Sequence, residues 1–509
     1  MYRKSRRLKS RFREPPLDEN SPQWRAWDDQ FEENHHARIV EDAVNRLDSE
    51  KLEEPYRGVG SLAYPPDLML KMALFEYLQG RTSPAQWQRD AQEHDAVKWL
   101  GRGIQPSRTA WYGFRDRMDR VIHDLNDDLV RDAVKEGLAA PVDAAQDGTT
   151  FRSNASRHQA FNQETLQKRK AHVDAIVEAD VEADQQPTPS PEPQPKWMPK
   201  TAGGRLDLQA RMETARQHLD VKLLENQQKM KSKRRLEKNI VVSLTDPAAP
   251  FARDKEKTFC FLYTTQFMVD SASLLVLGYS VAAENTDVGT LAPMIDKVQP
   301  LIGGMLQRVS VDAAYTSLLD LIDCRDRDID LLGPVQSNSF TAKKQAEKDS
   351  SRITKKDFTW LEDEQTFQCP QGHKFIHEFK ERLKRHGGRH VISHRYRCPP
   401  EFCTACPLRD RCAKNPATGR TVKRLEGQQL IDAQHEKMQR DEIKAVYRGR
   451  GQTVERPFAD AKRNRSFGRF HGRGLDRARA EVGLLVMAQN LLTINRLRKC
   501  DETPEKQAA

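Results

Sequence analysis

Near its C-terminal end the chain reads YRGRGQTVERPFADAKRNRSFGRFHGRG, from Tyr447 to Gly474. Glu455 is a carboxylate in that dense basic stretch, and Lys462 follows seven residues later. Seven residues is almost two helical turns, so the spacing predicts both side chains on one helix face. Between Lys444 and Arg479 there are eleven Lys or Arg against three Asp or Glu. This setting suits an acid that holds a metal beside a polyanion. The basic charge holds phosphates, and the acid holds the cation that activates one of them.

Two further carboxylates stand where strands are expected to end. Asp312 closes the apolar run QRVSVDAAY, and Asp147 follows a short apolar stretch within LAAPVDAAQDGTTFRSNAS (138–156), with Asp143 as a competitor. Carboxylates at strand ends converge even when far apart in sequence. Two or three of them suit Mg²⁺, which prefers oxygen ligands and shares substrate phosphate oxygens. Two such ions on one phosphate activate the nucleophile and stabilise the leaving oxygen. A single Asp at a strand end is ordinarily a cap or turn residue, so no one of these acids decides the matter. A different chemistry is offered by Cys369, Cys398, Cys403, Cys406 and Cys412, with His373 close to the first. Cys403 and Cys406 form a CxxC, the spacing of two thiolates on one tetrahedral Zn²⁺. Reduced, unliganded thiols are the alternative. Cys260 and Cys324 read as buried small hydrophobes, and Cys500 lies near a chain end.

The elements that must position these residues are legible in outline. Residues 24–140 read as helical. YPPDLMLKMALFEYL (64–78) has prolines at its start and apolar residues at helical spacing, Gly80 is a stop, and Ser83-Pro84 opens the next helix. Ser107 or Thr109 is placed to cap a helix carrying Arg108, Arg115 and Arg117. A helix-turn-helix type DNA-binding unit and a plain helical bundle with a charged outer face both fit this pattern. The tryptophans here (24, 27, 87, 99 and 111) read as core, and His35-His36 as a solvated pair. Residues 157–240 are very polar. They contain a Pro-rich linker, Ala183–Pro199, and a charged helix, Arg205–Lys238, suggesting an inserted arm. From Thr258 a hairpin, a helix over 288–302, a strand ending at Asp312, a helix through Ile322 and the strand DIDLLGPV predict one mixed α/β sheet. The apolar AEVGLLVMAQNLLTINRL reads as a core helix on that sheet.

Composition agrees with a large, acidic partner. The 509 residues carry a net charge of +10 with 37% hydrophobic and 31% charged content, which favours a polyanion. No 18-residue apolar run is present, and the N-terminus MYRKSRRLKSRFR is basic without an apolar stretch behind it. The expectation is a cytoplasmic, nucleoid-associated protein, with no membrane role, in which eight cysteines do not form structural disulfides.

DGTTFRSNAS (147–156), SVDAAYTS (310–317) and Tyr447-x2-Arg450 followed by VERPFADAKR resemble the three active-site blocks of insertion-sequence DDE transposases, in the family order Asp, Asp, Glu. FGRFHGRG and YPPDLMLKMALFEYLQG also resemble that family, and the likeness spans most of residues 60–499. It implies an RNase H-like mixed-sheet catalytic domain with an all-α N-terminal domain and a Cys-rich, zinc-ribbon-like insertion. Asp147, Asp312 and Glu455 would be the catalytic acids and the Mg²⁺ (or Mn²⁺) ligands. Tyr447, Arg450 and Lys462 match an additional Tyr-Arg-Glu-Lys signature. Here Arg450 is separated from Glu455 by four residues, one more than the strict spacing, so Arg448 is a rival for the role. Arg463, Arg108 and Arg115 complete the expected DNA contacts. Cys369, Cys398, Cys403, Cys406 and Cys412 are the candidate ligands of a structural Zn²⁺.

The implied organisation is a basic tail (1–15), a helical DNA-binding domain (16–137), a first catalytic part (138–335) holding the 157–240 insertion, a Cys-rich insertion (336–435), C-terminal catalytic helices (436–499) and a tail (500–509). The implied reaction is metal-dependent cleavage at transposon ends, followed by joining of the 3′-OH to target DNA, by a homodimer on double-stranded DNA carrying terminal inverted repeats. Two alternatives are a nuclease of the same fold without strand transfer, and a zinc-dependent DNA-binding regulator with an inactive catalytic domain.

Overall fold

A computed structural model describes residues 11–56, 60–183, 195–229, 231–254, 256–335, 352–413 and 415–501. Most of the expected basic tail, most of the Pro-rich linker, the start of the Cys-rich insertion and the C-terminal tail lie outside the described residues. The chain divides into two compact units: Met1–Thr286 with Lys297–Met305 and Gly451–Ala509, and Asp287–Asp296 with Leu306–Arg450.

Among the described residues, the first unit opens with eight helices between Pro22 and Lys135. Their starts and stops follow local chemistry. Pro66 and Pro84 sit in first turns, where a missing N–H costs nothing. Ser107 caps Arg108–Met118 by accepting from the Ala110 N–H at 3.3 Å. Gly80 ends Pro66–Leu78 with φ of +73°, and a Cβ there would stand 3.1 Å from the Asn464 carbonyl oxygen. Trp87, Trp99 and Trp111 are buried and serve as core, whereas Trp24 and Trp27, on the first helix, are only half-buried. His35 differs from the expected solvated pair: it caps His36–Asn45 and stacks on Phe31.

Six strands of this unit are β1 (Asp143–Arg152), β2 (Ala160–Phe161), β3 (Val242–Ser243), β4 (Phe251–Arg253), β5 (Phe259–Asp270) and β6 (Val276–Ala282). β5 pairs antiparallel with β1, β4 and β6. β1 runs five residues past Asp147, whereas the sequence suggested a strand ending there. Thr149, Thr150 and Phe151 are strong strand formers, and Gly148 pairs with Gln266 in register instead of turning the chain. The C-terminal helix Leu475–Asp501 packs on β6 and on the N-terminal helices. Its Asn490 side chain bonds both the N–H and the carbonyl of Val276 at 2.9 Å, so a polar residue fits the core at the edge of β6.

The 157–240 insertion is a helical arm rooted on the short β2–β3 ladder. Gln163–Ala183 and Ala202–Gln228 pack around Leu166, Val173, Met212, Ala215 and Leu219. The second helix was legible in the sequence; the first was not.

The second unit contains a parallel pair, β7 (Arg308–Ser310) and β8 (Asp330–Leu332), with Val309 opposite Leu331. The intervening helix Leu318–Arg325 begins with a reciprocal capping box between Ser317 and Asp320. The Cys-rich insertion adds β9 (Thr359–Leu361) with β10 (Thr366–Gln368), and a sheet of β11 (Ile376–Lys384), β12 (His390–Arg397) and β13 (Thr421–Leu425). Gln434, on Gln428–Lys437, donates to the carbonyls of Leu331 and Gly333 and ties the end of the insertion back to β8. The fold is mixed α/β with a helical N-terminal region. Among the described residues, no helix is long and apolar enough to cross a membrane.

Candidate active site

In the first unit one face of β1 and β5 is the organising surface. Asp147 stands opposite Phe267 in the ladder, and directly opposed side chains project to the same face. Alternation along the strand puts Thr149 and Phe151 on that face too. The end of helix Asp441–Ala459, within residues 451–459, and the segment after it lie across this face through a run of contacts. Phe458 stacks on Phe267 with centroids 4.5 Å apart. Lys462 Nζ donates to Thr149 Oγ1 at 2.7 Å and sits 5.3 Å from the Phe151 ring centre. Phe467 and Phe470 then pack edge-on against Phe151, and the Phe470 N–H donates to the Arg152 carbonyl at 2.9 Å. Glu455 lies one helical turn before Phe458 and is exposed. The Lys462 ammonium thus stands one same-face position along from Asp147, about 7 Å by strand rise.

Lys462 does not continue the helix that carries Glu455. The α-helix stops at Ala459, and Asp460–Asn464 form a wider π turn. The expected shared face rested on 3.6 residues per turn, which this segment does not keep. Its anchor is Asp460. Burial alone would raise the Asp460 carboxyl, but hydrogen bonds from Asn464 and Gln489 and the Arg465 guanidinium outweigh burial and hold it below the usual range. The Gln489 amide also takes the carbonyl of Pro457, the proline inside the helix, at 2.9 Å. Arg465 reaches on to the Leu78 carbonyl. The π turn is thereby fixed from both sides.

In the second unit Asp312 caps the short 3₁₀ turn Ala313–Tyr315, accepting from the Ala314 N–H at 2.7 Å. Tyr447 donates its hydroxyl to the Val311 carbonyl at 3.0 Å, so this tyrosine braces the residue next to Asp312. Arg448 is exposed and Arg450 half-buried on the same helix, and Arg463 is exposed beyond the unit boundary. In the N-terminal helices Arg108 is exposed with its guanidinium near the Tyr112 hydroxyl. Arg115 is turned inward. It is 4% exposed, held by Asp116 at 2.9 Å and 3.6 Å from the buried Glu481. Thr149, Phe458, Asp460 and Gln489 were not singled out from sequence. Only Thr149 had a usable signal, its same-face position two residues after Asp147.

The five clustered cysteines lie in the second unit, and all of them, with His373, line one small cavity. Cys398 and Cys403 are part of the core they form with Phe358, Phe367, Phe375, Tyr396 and Val422, and Cys369 and Cys412 pack against it. The Leu408 N–H donates to Cys406 Sγ at 3.3 Å and the Arg420 N–H to Cys403 Sγ at 3.4 Å. Burial and the neighbouring Cys403 thiol push the Cys398 thiol well above its usual range; burial also raises Cys412. As the side chains stand, no group of three or more His, Cys, Asp or Glu among the described residues forms a metal-ligand set. Cys260 and Cys324 are buried as expected, and burial pushes Cys324 up to about 12.

Comparison with known families decides the larger question. Residues 368–495 match a transposase DDE domain, and residues 25–117 match a second transposase domain, DUF772. The chain belongs to the DDE transposases. Among solved structures, this transposase is similar to the one described as the cryo-EM structure of piggyBac transposase synaptic complex with hairpin DNA. The identity is 8% and the TM-score 0.34, over 93% of this chain and 76% of that one, a likeness too slight to carry an argument. No curated protein matches the transposase. Its DDE domain marks it as an enzyme acting on DNA.

Proposed function

We propose that this transposase cleaves phosphodiester bonds at the ends of a mobile element and joins the freed 3′-OH to target DNA, on an RNase H-like scaffold. The reading is supported above all by the face that Asp147, Thr149 and Phe267 share with Phe458 and Lys462, because it brings an acid and a cation from distant parts of the chain to one surface. The antiparallel β1–β5–β6 ladder in one unit and the parallel β7–β8 pair in the other are the kinds of strand an RNase H-like sheet combines. Asp147, Asp312 and Glu455 are hard oxygen donors of the sort Mg²⁺ or Mn²⁺ takes, and they would hold it. When bound, that metal supplies Lewis-acid chemistry at phosphorus.

The chain's own residues do the rest. Lys462, steadied by Thr149, neutralises a strand phosphate beside Asp147. Tyr447 fixes the turn that presents Asp312. Arg448, Arg450 and Arg463 hold further phosphates, and the N-terminal helices, through Arg108, contact the terminal repeats. Arg115 serves this region by packing, since its guanidinium is committed to Asp116 and Glu481. Two ends are processed together by a homodimer on double-stranded DNA. The thiols of Cys369, Cys398, Cys403, Cys406 and Cys412 have donor chemistry that fits Zn²⁺, and two of the sulfurs already accept backbone N–H bonds. They would hold a structural ion that locks the insertion.

The test is cleavage of a labelled duplex bearing the element's terminal repeats with Mg²⁺ or Mn²⁺, comparing wild type with Glu455→Gln. Nicking at the repeat boundary by wild type alone is the expected result, with transfer of a pre-cut end distinguishing transposase from nuclease. Equal nicking by both proteins removes Glu455 from the site. Binding without cutting by either protein favours a regulator with an inactive domain.

A further inference from the structure

We infer that the root of the helical arm is a surface for the sugar-phosphate backbone of double-stranded DNA. The inference rests on the DNA-acting reading above and assigns to the arm a substrate contact of its own. The connector from the second arm helix back to β3 carries Lys229, Lys231, Lys233, Arg234, Arg235 and Lys238 against the single acid Glu237. Every one of these six cations is exposed, as is each residue from 231 to 239. Among the described residues none of the six is in an ion pair. The arm helices just above behave differently. Lys168 pairs with Glu164, Lys170 with Asp174, Arg205 with Asp180, Arg211 with Asp207, and Arg216 with both Glu213 and Asp220. The shaft of the arm is thus internally neutralised, while its root keeps its positive charge for something outside the chain.

The root is also held in shape. Asn226, 4% exposed, donates its amide to the Arg235 carbonyl and accepts from the Arg235 N–H, both at 2.9 Å. Arg234 donates to the Lys229 carbonyl at 2.9 Å, and Asn162 donates to the Lys238 carbonyl. A disordered basic tail needs no buried amide reading its backbone. Six cations fixed on a framed connector present a charged ridge whose ordering has been completed on folding, which lowers the cost of binding. The ridge contains no aromatic residue to stack on a base, and its described residues form only two single 3₁₀ turns, Lys231–Lys233 and Glu237–Asn239, too short to enter a groove as a helix. Its chemistry therefore suits duplex phosphates and not base sequence. Its place in the chain is apt as well. β3 pairs with β2, which follows β1, the strand bearing Asp147.

The experiment is anisotropy titration of the full chain on two labelled duplexes, one with the terminal repeats and one unrelated, over a range of salt. Wild type is compared with the quadruple variant Lys231→Gln, Lys233→Gln, Arg234→Gln, Arg235→Gln, all at exposed positions, with circular dichroism as the folding control. Each phosphate that the variant no longer neutralises makes the slope of log affinity against log salt shallower by about 0.9, so a decrease of about 3 to 4 is expected, equal on both duplexes. An unchanged slope where wild type binds DNA overturns the inference, as does a weakening confined to the repeat duplex or to anionic vesicles. Failure of wild type to bind either duplex overturns the DNA reading itself, a separate result.

Discussion

Glu76 lies on helix Pro66–Leu78 and is completely buried. Burial is the main cause that pushes its carboxyl up to about 9; the neighbouring Asp90 adds to the shift, and Arg81, 3.5 Å away, opposes it. The sign follows from linkage. In the unfolded chain Glu76 releases its proton near pH 4.5, while the folded chain keeps the proton to about 9. Between those values the native state binds one proton more than the unfolded state, so stability falls as pH rises, by about 1.4 kcal/mol per unit. Below the lower value both states are protonated and the slope vanishes. At pH 7 the buried acid costs about 3 kcal/mol relative to that limit.

Gln has the shape of the protonated acid and does not titrate. Glu76→Gln should therefore flatten the profile, and its advantage over wild type should widen by about 4 kcal/mol from pH 5.5 to 8.5. Paired denaturant titrations of both proteins across that range measure the gap. Parallel profiles, with a gap that stays constant, would refute the reasoning and mean that Glu76 is ionised in the folded chain.

Phe458→Ala removes the ring stacked on Phe267 and should cost about 3 kcal/mol, the usual range for a buried aromatic. Nicking should fall further than stability explains, because the helix segment that carries Glu455 loses its packing against β5; Phe458→Leu should recover most of both. Full activity in a folded Phe458→Ala protein counts against the shared face. Purified chain should contain about one zinc by elemental analysis, absent from Cys403→Ser, with chelation exposing the core around Phe367 to dye. Absence of zinc from wild type leaves the five thiols as reduced core sulfurs.

Much of the fold was legible because its signals are local. Ser107, Pro66, Pro84 and Gly80 mark helix ends by what their own backbone can or cannot do, and the aromatic and β-branched residues of FCFLYTTQFMVD mark β5. The three acids stand out in the sequence only by their type and by the order Asp, Asp, Glu. Their setting was less visible. Gly148 resembled a turn residue because glycine usually interrupts a strand, yet the ladder to β5 carries it in register. The first arm helix, Gln163–Ala183, has too few apolar residues for a clear pattern; it is stabilised by a partner helix some thirty residues away.

Lys462 shows most clearly where a period fails. Counting seven residues from Glu455 gives a shared face only if every turn is alike. The turn that contains Lys462 is wide, and it is wide because Asp460, Gln489, Arg465 and Pro457 hold it so. The decisive bonds are not local: Gln489 comes from the last helix, and Arg465 bonds a carbonyl from the N-terminal helices. The position of the ammonium on the Asp147 face is thus set by packing between distant segments. The sequence names Lys462 as a candidate, while the tertiary structure decides which surface it serves.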